Sequence, residues 1–79
     1  MSTYRLEGGD EVRAIGRMRE VSRTWHEQRV GRRTYGPTDL DSLVRIGAHA
    51  VGCSLVELTE PEADWMRRTA RELLDALNA

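Results

Sequence analysis

The sequence contains no lysine and no phenylalanine, and a single cysteine, Cys53. All 12 basic residues are arginine. Such a bias points to a GC-rich coding sequence of bacterial or phage origin, so no one arginine can be read as chosen over lysine for bidentate contacts. One thiol cannot close an internal disulfide, which suits a reducing cytoplasm, the expected location. No apolar run approaches the ~20 residues that a membrane span needs. The longest stretch leaning that way, Ile46 to Val51, is interrupted by His49. The opening residues lack the apolar centre of a secretory leader, and none is expected.

What is present amounts to one domain. Seventy-nine residues leave room for a single core, and a chain of this size buries only roughly 60–65% of its unfolded surface. Dimerisation commonly compensates for so small a core, and a homodimer is expected. The net charge is −1, but it is unevenly spread. Between 11 and 33, seven arginines face three glutamates, a balance of +4. Between 34 and 66, Arg45 stands alone against six acids, a balance of −5. This polarity suits either a polyanionic partner or a protein one.

Residues 1–9 end in Gly8-Gly9 and read as a flexible or extended arm. Asp10 is a natural N-cap for a helix beginning at Glu11. Val12, Ile15, Met18, Val21 and Trp25 recur at helical spacing and mark its inner face. Gly31 and Gly36-Pro37 break the pattern. Thr38 or Asp39 caps a second helix over about 39–51, with Leu40, Leu43, Val44, Gly47 and Val51 on one face. Its polar residues Asp41, Arg45 and His49 form one stripe, so this helix should be the most enclosed. Gly52 is placed to end it. The segment 54–58 fits a helical turn or an edge strand. Thr59-Glu60-Pro61-Glu62 has the form of a capping box with proline in the first turn. Trp65, Met66, Thr69, Ala70, Leu73, Leu74 and Leu77 then make one apolar stripe. Within it, Trp65, Met66, Leu73 and Leu77 are candidates for core or dimer contacts. The class is all-α, a small domain of three to four helices spanning 1–79.

Little of this pattern supports catalysis or a cofactor. His49 and Cys53 are four apart, but Gly52 separates them and only His26 could join them, so no metal is expected. Asp41 and Ser42 are helix neighbours that point apart, and no G-x-S-x-G turn presents a nucleophile. No catalytic residue, enzyme activity or cofactor is expected. Asp41-Ser42-Leu43 resembles the attachment site of acyl carrier proteins. The likeness ends with those three residues, and Ser42 is expected to stay unmodified.

A longer pattern runs from Val21-Ser22-Arg23-Thr24 through Arg29-Val30-Gly31-Arg32-Arg33 to Leu40-Asp41-Ser42-Leu43. It closes with Gly52-Cys53-Ser54-Leu55-Val56-Glu57-Leu58. It resembles the C-terminal half of a Cro/repressor-type helix-turn-helix domain, with Glu20 standing where that family has its turn glycine. The resemblance implies a degenerate helix-turn-helix and a small DNA-binding transcriptional regulator. Ser22, Arg23, Thr24 and Gln28 would then face bases, and Arg29, Arg32 and Arg33 would face phosphates. The alternative is a non-catalytic helical protein that binds another protein, as an antitoxin, inhibitor or phage adaptor does.

Overall fold

The computed structural model describes residues 4–28, 34–53 and 55–78. Three helices, α1 (Gly8–Gln28), α2 (Pro37–Ala50) and α3 (Glu60–Asn78), are joined by short connections, with a 3-10 turn at Leu55–Glu57. No strand occurs among the described residues. The domain is all-α, and the segment after α2 is a helical turn rather than an edge strand.

All three helices begin alike, with an acid at the third helical position reaching back to the N-cap amide. The Glu7 N–H donates to Asp10 Oδ2 at 3.2 Å, the Gly36 N–H to Asp39 Oδ2 at 3.0 Å, and the Thr59 N–H to Glu62 Oε1 at 2.8 Å. Each carboxylate also lies near the positive end of the helix dipole. Asp10 therefore does not occupy the N-cap expected for it, and neither Thr38 nor Asp39 caps α2, whose N-cap is Gly36; both acids lie inside their helices. They sit three residues inside, and each helix starts two to three residues earlier than expected. Pro37 then falls at the first helical position, where its missing N–H costs nothing. Only at Thr59-Glu60-Pro61-Glu62 does the expected start coincide with the observed one.

Helix α2 ends as its sequence requires. Gly52 has a φ of +77°, while the N–H groups of Cys53 and Gly52 donate to the carbonyls of Ala48 and His49, each at 3.0 Å. These two bonds form the Schellman arrangement that glycine at C′ permits.

The helices run up, down and up. Leu6 and Asp10, at the start of α1, lie beside Val51 and Cys53 at the end of α2. At the other end, Trp25 stacks on Tyr35 with ring centroids 6.5 Å apart and planes 21° from parallel. Asn78, closing α3, returns to that same end. Its Oδ1 accepts the Tyr35 N–H at 2.9 Å, and its Nδ2 donates to the Tyr35 carbonyl at 3.2 Å. Helix α2 packs against both neighbours, as its nearly continuous apolar surface predicts.

The core has a simple register. Ala14, Met18 and Ser22 face inward from α1, Leu43, Val44, Gly47 and Ala48 from α2, and Ala63, Met66, Ala70 and Leu74 from α3. Two predicted faces are turned slightly. On α1, Val12 is 70% exposed and Ile15, Val21 and Trp25 are half-buried, because the small residues Ala14 and Ser22 mark the line of closest approach. On α3, the fully enclosed row is Met66, Ala70 and Leu74. Trp65, Leu73 and Leu77 flank it and pack only partly against the core. At the centre, a Cβ on Gly47 would lie 2.7 Å from Met66 Sδ and 2.9 Å from Met18 Sδ. The missing side chain lets two methionine thioethers meet over α2.

The chain before α1 is fastened rather than free. The Arg5 N–H donates to Glu62 Oε2 at 3.0 Å, and its guanidinium donates to the Glu57 carbonyl at 2.8 Å. Tyr4 donates its phenol to Glu11. Residues 4–7 form no regular secondary structure, while Gly8 and Gly9 belong to α1.

Candidate interaction groove

The antiparallel packing of α1 and α2 leaves an open groove of about 550 Å³ between them. Its lining is Arg13 and Arg17 from α1, and Arg45, Ile46, His49 and Ala50 from α2. On each wall the basic or imidazole groups are four residues apart, so they stack one above the other on one face of their helix. Ile46 and Ala50, half-buried, sit between these walls. The groove therefore has an apolar floor and a nitrogen-rich rim on both sides.

The rim is only lightly neutralised. Arg13 pairs with Asp10 one turn earlier, and Arg17 with Glu20 at 3.1 Å. Both pairs are solvent-exposed, and such pairs within one helix contribute only about 0.3–0.5 kcal/mol. Arg45 and His49 are exposed and make no ion pair with any described residue. The groove can attract carboxylates or phosphates at its edges and bury an apolar group between them.

The residues singled out from sequence are placed elsewhere. Helix α1 passes unbroken through Glu20 and Val21, where the helix-turn-helix resemblance expects a turn. Ser22 is only 4% exposed, and its hydroxyl donates to the Arg19 carbonyl at 3.1 Å. It is part of the interior, not of a base-reading face. Arg23, Thr24 and Gln28 are exposed, with the Thr24 hydroxyl donating to the Glu20 carbonyl at 3.0 Å. Arg23 and Gln28 are five residues apart, so they point about 140° from one another around the helix. Arg29, Arg32 and Arg33 lie outside the described residues. Met66 belongs to the core, with Trp65, Leu73 and Leu77 at its margin. Trp25 stacks on Tyr35 and is half-buried.

Sequence reading identified Arg45 and His49 on a polar stripe but did not join them to Arg13 and Arg17. The four-residue spacing of each pair was visible. That the two helices lie side by side at those positions was not.

Among the described residues, no group of three histidine, cysteine or acidic side chains converges on a point that could hold a metal ion. None of the described helices is long and apolar enough to cross a membrane. Comparison with protein-family models, with curated proteins and with solved structures gave no match to this chain.

Proposed function

We propose that this chain is a non-catalytic interaction domain that binds another protein through the α1–α2 groove. The observation that carries this reading is the pairing of two arginine-bearing walls with an apolar floor in one cleft. Protein–protein interfaces combine a buried apolar centre with a polar rim. A phosphate backbone needs the charge but has no use for the floor.

The same reading accounts for the position of the acids. Asp10 and Glu20 touch the rim arginines, and Asp41 lies one turn before Arg45. Against a continuous line of phosphates these acids add repulsion at every step. Carboxylates are repelled as well, but exposed pairs within one helix can exchange partners at little cost. Of the residues on which the DNA-reading alternative rests, Ser22 is buried, Thr24 and Gln28 share a face while Arg23 points away from Gln28, and Arg29, Arg32 and Arg33 lie outside the described residues.

Site-specific photo-crosslinking in extract of the source cell tests the proposal. A photoreactive residue in place of His49 should yield a discrete protein adduct, whereas the same residue in place of Arg67 on α3 should not. Equal adducts from both positions, or adducts to nucleic acid alone, would remove the groove from this role.

A further inference from the structure

We infer that the occupant of the groove is an acidic amphipathic helix, with an apolar ridge flanked on both sides by carboxylates. This rests on the protein-binding reading above and adds the chemistry of the partner. Arg13 and Arg17 on one wall, and Arg45 and His49 on the other, repeat at four residues, a step of about 6 Å along each helix. Carboxylates spaced at four residues on a partner helix repeat with the same step. A ridge of leucine-like side chains between two such rows meets Ile46 and Ala50 while both rows reach the rim.

An extended peptide fits the cleft less well. Docking by strand addition needs a sheet edge, and the described residues offer no strand. A helix satisfies its own backbone and can enter a cleft between two other helices without such an edge. The occupant thus completes a small antiparallel assembly, with α1 and α2 as two sides of its socket.

The test uses the whole chain and synthetic peptides. One peptide carries a leucine stripe flanked by glutamates at helical spacing, a second replaces every glutamate by glutamine, and a third replaces the leucines by serine. Amide spectra of the labelled protein should shift at Ile46 and Ala50 on addition of the first peptide and much less with the other two. Arg17→Glu with Arg45→Glu should lower its affinity by at least about tenfold, an effect expected when close charge pairs become repulsive. If that double variant does not fold, Arg17→Gln with Arg45→Gln should give a smaller loss of the same sign. Equal shifts from the glutamate and glutamine peptides would overturn the acidic-helix assignment. A short DNA duplex that displaces the peptide from Ile46 and Ala50 would also overturn it and make the groove a nucleic-acid site. Should no peptide shift these residues at about 1 mM, the weak end of specific affinity, while photo-adducts still form at position 49, only the helix assignment falls. Absence of both signals removes the groove reading as well.

Discussion

Glu62 accepts the backbone N–H of Arg5, fifty-seven positions before it in the chain, at 3.0 Å. Its carboxylate is 1% exposed, and it also accepts the N–H and hydroxyl of Thr59, each at 2.8 Å. One side chain thus starts α3 and anchors the segment that precedes α1. Burial acts to raise the Glu62 pKa. The hydrogen bonds from Thr59 and Arg5, with the Arg5 charge, outweigh it and hold the group below its ordinary value of 4.5. A depressed folded value means that the stabilisation is complete above the unfolded pKa and is lost as pH falls through the folded one. Unfolding followed below about pH 4.5 should therefore show a loss of stability that Glu62→Gln flattens. At neutral pH this substitution should cost about 1.5–3 kcal/mol, the range for hydrogen bonds to a charged group. A wild-type curve indifferent to acid would contradict this role.

Tyr4 gives the arm an alkaline limit. Burial, followed by its hydrogen bond to Glu11 and the charges of Glu11 and Glu62, pushes the phenol up to about 12. A raised folded value contributes stability below the unfolded pKa near 10 and loses it as pH climbs toward the folded one. Absorbance titration of tyrosinate should show a late-titrating phenol in the native protein that is missing in Tyr4→Phe. The same titration midpoint for wild type and for the unfolded chain would count against the contact.

The core register separates two neighbouring leucines. Leu74 is 4% exposed, whereas Leu73 lies at the margin of the core. Leu74→Ala should cost about 2–5 kcal/mol, as for a fully buried leucine that leaves a cavity. Leu73→Ala should cost about 1–2 kcal/mol, since only part of its surface is withdrawn from water. Chemical denaturation that reverses this order would mean that α3 is rotated by about one residue, or ~100°.

Two helical glycines should respond oppositely to a side chain. A Cβ at Gly47 meets both methionine thioethers below 3.0 Å, while one at Gly16 has nothing within 4 Å. Gly47→Val should destabilise by about 1–3 kcal/mol through overpacking. Gly16→Ala should stabilise by about 0.5–1 kcal/mol through helix propensity. Thermal unfolding of the two variants reads both signs directly, and a stabilising valine at 47 would contradict the packing of α2.

Residues with strong local chemistry were read correctly from sequence. Gly52 ends α2 because a positive φ favours glycine, and Thr59 to Glu62 starts α3 because its side-chain bonds are local. Asp10 and Asp39 mark helix starts in the sequence but not their exact position, since an acid serves at the N-cap or three residues inside it, and Thr38 competes for the cap of α2. The inner face of α1 was judged by size. Size favours Val12 over Ala14 for the core, yet Ala14 is buried and Val12 exposed, because a small residue on the contact line lets helices approach. The groove depends on which helices lie side by side, and a four-residue spacing within one helix does not contain that information.

A protein partner and a duplex are told apart at the arginine-rich cleft by their dependence on salt. The most direct measurement is a titration of a nonspecific DNA duplex into the whole chain at ~50 mM and ~200 mM salt, with binding and its salt slope both recorded. If the cleft serves a protein, no saturable duplex binding tighter than about 0.1 mM, the weak end for nonspecific DNA binders, is expected even at the lower salt, and no shift at Ile46 or Ala50. Micromolar binding that weakens steeply between the two salts, and that is lost when Arg13, Arg17 and Arg45 are replaced together by glutamine, would contradict it.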